Sequence, residues 1–146
     1  GRIRREGFPA FGADAVRFTL ATYPPSNKRI ALAPKRVEGY RHFLNKIWNA
    51  TRFAEGHLEG YTPASDARPE PTWVWNRWIL GELARATAAA HGSKAAEQGF
   101  AAFRLDTAAM ALYDFFWTSV CDWYLEVTKT VFGKDGANAG YRAETQ

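Results

Sequence analysis

Apolar residues along this chain fall into four stretches of helical periodicity, and no stretch alternates apolar with polar residues as a half-buried strand would. The first stretch, Ala10 to Tyr23, opens with Gly12, continues with helix formers and is closed by Pro24-Pro25, which predicts a short helix over Ala13–Ala21. Pro24 to Pro34 carries Pro, Ser and Asn and reads as a loop, and as a candidate domain boundary. From Lys35 to about Glu55, Tyr40, Phe43, Ile47, Ala50 and Ala54 recur three or four residues apart, so they share one stripe of an amphipathic second helix. Gly56 to Pro71 is polar and turn-rich, a surface connection. Thr72 is the expected cap of a third helix, which carries Trp73, Trp75, Trp78, Ile79 and Leu83 ahead of the alanine run Ala84–Ala90. Gly92 and Gly99 leave open whether that helix continues or breaks. Asp106 is the expected N-cap of a last helix, Thr107–Val131, with Met110, Tyr113, Phe116 or Trp117, Val120, Tyr124 and Val127 on helical spacing and Gly133 as its stop. The pattern therefore predicts an all-α antiparallel helix bundle, with the aromatic residues, six Trp included, filling its core.

Composition narrows the picture without changing it. With 146 residues, 47% of them hydrophobic, the chain suffices for one compact domain and is short for a large enzyme. It contains no apolar run long enough to span a bilayer, and Gly1-Arg2-Ile3-Arg4-Arg5 lacks the apolar stretch of a signal peptide. A single Cys, Cys121, excludes an intramolecular disulfide and a Cys-based zinc site, and its simplest place is the core. Nineteen Lys and Arg against fifteen Asp and Glu give a net charge of +4, a mild bias that suits a polyanionic partner without demonstrating one. The chain does not begin with Met, and its Gly133–Gly140 tail carries no further apolar segment, so it is expected to be an excised piece of a longer protein.

Catalytic constellations are missing. The twelve glycines never take the spacing that lines backbone N–H groups along a phosphate. His42, His57 and His91 stand in separate segments without metal-ligand spacing. Ser119 and Cys121 have Asp122 close in sequence, but neighbours on a helix do not face one another, and no base is identifiable. Asp122 and Glu126 lie four apart and need balancing by a neighbouring base or by Lys129, which points to structural pairing. Trp123 and Tyr124 are more simply core than ligand-facing. One pattern is more informative: His42, Lys46, Asn49 and Phe53 share a stripe of the second helix, offset by about a quarter turn from its apolar stripe. A cation, an amide and a flat ring on one face are what unpaired bases require, for charge, for a base edge and for stacking. Arg36, Arg41 and Arg52 add positive potential on the same helix. On spacing alone, a solvated helix side with one Phe at the core's edge is the simpler explanation.

Several segments resemble the valyl-tRNA synthetases, a family of class I aminoacyl-tRNA synthetases. Gly12-Ala13-Asp14-Ala15-Val16-Arg17-Phe18-Thr19-Leu20-Ala21 is similar to the helix that follows the catalytic signature loop in that family. Lys35-Arg36-Val37-Glu38-Gly39-Tyr40-Arg41-His42-Phe43-Leu44-Asn45-Lys46-Ile47-Trp48-Asn49-Ala50-Thr51-Arg52-Phe53 resembles the first anticodon-domain helix along nearly its whole length. Asn76-Arg77-Trp78-Ile79-Leu80, Tyr113-Asp114-Phe115-Phe116-Trp117 and Cys121-Asp122-Trp123-Tyr124-Leu125-Glu126 follow in the family's order, so the resemblance covers about residues 8 to 131.

The resemblance implies residues 1–33 as the end of a catalytic core with its connecting helix and loop, and residues 34–146 as a truncated anticodon-binding bundle. It implies a parent valine–tRNA ligase, cytoplasmic and monomeric, that uses ATP with Mg, while this chain itself holds no cofactor, no metal and no catalytic residue. The nucleotide-binding signatures, the editing domain and the coiled-coil arm of the family do not occur in the sequence. Lys46, Asn49, Phe53 and Leu125 occupy the positions that face the anticodon bases, Leu125 entering by resemblance only, and Arg36, Arg41 and Arg52 are the supporting basic contacts. The implied partner is a valine-specific tRNA, with no membrane. The alternative is a structural scaffold whose RNA contacts lie in the missing parts; an independent helical enzyme has no motif in its favour. This sequence departs from the family at His42, commonly Asn there, and over Ala90–Gly99. An apolar face left uncovered by the family's last helices is expected to support dimerisation.

Overall fold

The computed structural model describes residues 9–26, 29–62, 70–133 and 137–146. The basic opening Gly1-Arg2-Ile3-Arg4-Arg5, parts of both predicted loops, and residues 134–136 of the tail lie outside the described residues.

Helix α1 spans Ala13–Ala21, the predicted range, with Gly12 as its N-cap at a positive φ of 89°. Helix α2 spans Pro34–Leu58, with proline in its first turn, where the missing N–H has no partner to lose. Helix α3 spans Val74–His91. The last long helix is continuous but has three parts: α4 (Leu105–Asp114), a π-helical segment (Phe115–Tyr124) and α5 (Leu125–Phe132). A 3-10 turn over Ala139–Tyr141 leads into a short α6, Arg142–Thr145. The described residues form no strand, only isolated bridges between Ser93 and Gln98 and between Gly99 and Arg104.

The core is organised around Phe43, which is 3% exposed. Its ring lies 5.3 Å from Phe18 of α1, 4.6 Å from Tyr113 of α4, and 6.1 Å from Phe116 of the π segment, with Trp117 stacked on Tyr113 at 5.7 Å. Both members of the predicted alternative, Phe116 and Trp117, therefore reach this cluster. Beneath it the long helix presents small side chains: Ala108 and Ala109 are buried in α4 and Cys121 in the π segment, so the helices approach closely. Two expectations fail here. Met110 is 38% exposed, because the buried side of α4 runs through Asp106, Ala108 and Ala109 instead. Trp48 and Trp123 are 66% and 55% exposed, so the tryptophans do not all serve the core.

Both predicted caps are also replaced. Asp106 sits inside the first turn of α4, where its carboxylate accepts two hydrogen bonds from the Arg104 guanidinium at 2.8 and 2.7 Å. The hydrogen bonds from Arg104, with a further backbone contribution from Thr107, hold the Asp106 carboxyl below its ordinary value despite burial. Thr72 does not cap α3 with its own hydroxyl. The backbone N–H groups of Thr72 and Trp73 both donate to the carboxylate of Glu144 at 2.7 Å, and the Thr72 hydroxyl donates to it at 3.0 Å. An anion from the far end of the chain thus occupies the positive end of α3. Trp73 stacks on Tyr141, with centroids 5.5 Å apart, and buried Asn76 accepts from the Tyr124 hydroxyl at 2.7 Å and donates to Thr145 at 3.1 Å.

The open question at Gly92 resolves as a break. Gly92 (φ 66°, ψ −161°) and Gly99 (φ 69°, ψ −169°) occupy a backbone region confined in practice to glycine, and they pack against each other. A Cβ on Gly92 would fall 1.9 Å from the Gln98 carbonyl oxygen, and one on Gly99 2.6 Å from that of Ala90.

Gly92→Ala should therefore destabilise the fold by at least the roughly 1–3 kcal/mol of backbone strain, seen as a lower urea midpoint. Gly81→Ala, in α3 with open space around it, should raise that midpoint. Equal midpoints for Gly92→Ala and the parent would show that the Gly92–Gly99 contact does not hold in solution. Glu144 predicts an acid-sensitive joint. Burial pushes its carboxyl up, but the hydrogen bonds from Thr72 and Trp73 outweigh that and leave it below the ordinary value of 4.5. Its contribution is complete above that value and is lost as pH falls through the lowered one. Glu144→Gln should accordingly lower Tm at neutral pH and narrow the gap to the parent at about pH 3; a gap independent of pH would remove the carboxylate's charge from the joint.

Candidate functional site

The stripe of Lys46, Asn49 and Phe53 runs along α2 beside its buried stripe, because residues three and four apart on a helix lie on one face. Since Phe43 and Ala50 fix the buried side against the long helix, this neighbouring stripe borders the groove between the two. The groove encloses about 230 Å³ and is lined by Lys46, Asn49, Ala50 and Phe53 from α2, and by Cys121, Leu125, Glu126 and Lys129 from the π segment and α5. Residues selected for their chemistry on one helix, and Leu125 selected by resemblance, thus meet in one concavity.

The walls differ in character. Ala50, Cys121 and Leu125 supply apolar surface, with Phe53 half-buried beside them. Phe53 is held edge-on to His57, with centroids 4.6 Å apart, and His57 in turn stacks on Phe132 at 4.4 Å, so the ring is braced from behind. Asn49 is exposed and makes no hydrogen bond among the described residues, which leaves both ends of its amide available. Lys46 is engaged. Its ammonium lies 2.8 Å from Asp122 Oδ1 and 3.8 Å from the centroid of the Trp117 ring, a combined ion pair and cation–π contact. Lys129 pairs with both carboxylate oxygens of Glu126 at 2.7 Å. The two carboxylates that looked mutually unfavourable in sequence are thus each matched by a lysine.

The three arginines separate. Arg36, ten residues or about 15 Å along α2 from Lys46, turns toward α1, donating to the Thr22 hydroxyl at 3.1 Å with its guanidinium 4.3 Å from the Tyr23 centroid. Arg41 and Arg52 are exposed, with no ion pair among the described residues. His42, on the same stripe, is exposed as well. Sequence reasoning missed Trp117 as a partner of Lys46 and Lys129 as part of the groove; the pairing of Lys129 with Glu126 was legible, its place beside Phe53 was not. No group of three or more His, Cys, Asp or Glu among the described residues is arranged to hold a metal.

Residues 76–146 match the family described as the anticodon-binding domain of tRNA ligases. Nearly the whole chain is similar to proteins named valine–tRNA ligase. Identity is 45% over 97% of this chain to that of Acinetobacter baylyi, 46% over 93% to that of Brucella suis, and 44% over 92% to that of Stenotrophomonas maltophilia. The chain spans only 14% of the length of each of these relatives. No solved structure matches it.

The groove floor makes one prediction of its own. Burial pushes the Cys121 thiol above its ordinary value, with Asp122 adding to the shift and Lys46 opposing it. Cys121 should react with a disulfide reagent at about pH 8 at least about tenfold more slowly in the native chain than in urea. Native reactivity equal to that of the unfolded chain would mean that the helices do not close over the groove floor.

Proposed function

We propose that this chain grips the anticodon end of a valine-specific tRNA and checks its bases, a reading supported by the match of residues 76–146 to the anticodon-binding domain of tRNA ligases. What supports the reading is the convergence of Lys46, Asn49, Phe53 and Leu125 on one groove of about 230 Å³. In the proposed complex Phe53 stacks an extruded base, since every base has a face that a ring can cover. Leu125 closes the other side, and the exposed amide of Asn49 pairs with a base edge through one donor and one acceptor. Lys46 offers a donor to a base acceptor. Arg41 and Arg52 supply salt-sensitive, sequence-blind attraction to the phosphates, whereas Arg36 serves mainly to fasten α1 to α2.

The chain's part in a full-length enzyme belongs to the same proposal. The parent attaches valine to its tRNA using ATP with Mg in the cytoplasm, residues 1–33 form the link from its catalytic core, and residues 34–146 form the anticodon bundle. This chain carries neither a phosphate-cradling loop nor a metal-ligand cluster among its described residues, so no step of that reaction is assigned to it. Leu80 and Leu83, exposed three residues apart on one side of α3, form the surface through which the isolated chain self-associates in this proposal. One observation favours the scaffold alternative: Arg36 and Lys46 are both already paired within the chain.

Titration with valine tRNA, and with the same tRNA changed at the middle anticodon base, separates the two at low and moderate salt. Tighter binding of the unaltered anticodon is expected, and equal binding of both would favour the scaffold. Phe53→Ala should weaken binding of the unaltered tRNA by about 1–3 kcal/mol, a loss of roughly fivefold to 150-fold, with the helical circular dichroism unchanged. A folded variant that binds as the parent does would remove Phe53 from the site.

A further inference from the structure

We propose that Asp122 and Trp117 are positioning residues that hold Lys46 as a reader of an uncharged base edge rather than as a phosphate contact, and that the π winding of the long helix brings the two together. The proposal rests on the anticodon reading of the groove and names the chemistry that groove accepts.

Lys46 meets its two partners from one side. Its ammonium lies 2.8 Å from the Asp122 carboxylate and 3.8 Å from the centre of the Trp117 ring, and those partners stand five residues apart. On an α-helix, positions five apart are separated by about 140° around the axis, which points two such side chains to different sides of the helix. Trp117 and Asp122 both lie within the π-helical segment Phe115–Tyr124. There the backbone bonds close over five residues, so positions i and i+5 come to one side of the helix, much as i and i+4 do in an α-helix. The winding builds the cradle that α geometry would pull apart.

The cradle sets what Lys46 can recognise. An ammonium group has three donors. Asp122 takes one, Trp117 covers another side, and the lysine remains 28% exposed, so donor capacity is left over while the charge is largely matched. Asp122 is itself 49% exposed, and its carboxylate repels a phosphate brought to the same spot. The groove's second lysine, Lys129, is matched by Glu126 in the same way. Both cations of the groove are thus balanced, while Arg41 and Arg52 on α2 carry no ion pair among the described residues. The arrangement suits a neutral, flat, hydrogen-bonding ring inside and the polyanionic backbone outside.

Asp122→Asn keeps the shape and one acceptor oxygen while freeing the charge of Lys46. Using valine tRNA and its middle-base variant as probes over a salt series, the preference for the unaltered anticodon should fall by about tenfold, the scale of one lost base contact. The slope of log affinity against log salt should steepen by about 0.7, the value for one more phosphate contact on a single strand. Asp122→Glu should restore both. Lys46→Gln should weaken binding of the unaltered tRNA but leave the salt slope where it was, because no phosphate contact is removed. Should the parent chain discriminate while Asp122→Asn keeps the parent's preference and slope, or should Lys46→Gln flatten the slope by about 0.7, the positioning role is overturned and the anticodon reading stands. A parent chain that does not discriminate at all overturns the anticodon reading, and this proposal with it.

Discussion

The packing of the Phe43 ring between three segments is the contact on which the rest of the molecule depends. Phe43 joins α2 to Phe18 of α1, to Tyr113 of α4 and to the aromatic pair that opens the π segment. Aromatic pairs at such separations contribute about 0.5–1.5 kcal/mol each beyond the area they bury. Their larger consequence is angular. With Phe43 facing the long helix, the rotation of α2 about its own axis is set, and with it the direction of Lys46, Asn49 and Phe53. A turn of α2 by one residue would carry that stripe about 100° away from the groove. The core contact and the candidate site are therefore one geometric decision.

A second constraint closes the other end. The N-terminus of α3 has no side-chain cap of its own, and the N–H groups of its N-cap Trp73 and of Thr72 just before it are met by Glu144 from α6. Asn76, 3% exposed, cannot be buried without partners, and it finds them in Tyr124 at the end of the π segment and Thr145 of α6. The π segment is thus tied at both ends, by Trp117 to the Phe43 cluster and by Tyr124 to Asn76. That double anchoring gives a physical account of how an uncommon winding persists over ten residues.

Much of this was legible in the sequence, for reasons that differ from element to element. The bounds of α1 follow from Gly12 and Pro24-Pro25, whose effects are local, and the face of α2 follows from period alone. The caps at Thr72 and Asp106 were misread because each donor or acceptor is claimed by a partner, Glu144 from the far end of the chain and Arg104 from two residues away. The π winding has no compositional mark: Phe116 or Trp117 stood as alternatives because a 3.6-residue period admits only one of them to the core face, whereas the wider winding lets both approach Phe43. The convergence of Lys46, Asn49, Phe53 and Leu125 was expected from one helix face and a resemblance. The pairing of Lys46 with Asp122, 76 residues away, needed the tertiary structure.

The proposed function asks a mildly basic chain to read bases rather than merely to bind polyanions. A base entering the groove displaces water, and a cation left unmatched there would favour any phosphate over any base edge. Matching Lys46 with Asp122 and Lys129 with Glu126 removes that bias while keeping hydrogen-bond donors in place. The excess of +4 over the whole chain is then free to act at longer range, where it strengthens encounter without regard to sequence. In the proposed function, attraction and discrimination are assigned to different residues of the same helix. The partition depends on a register in which residues 117 and 122 face the same lysine, so the π segment is as much a part of the proposed reading surface as the side chains it carries.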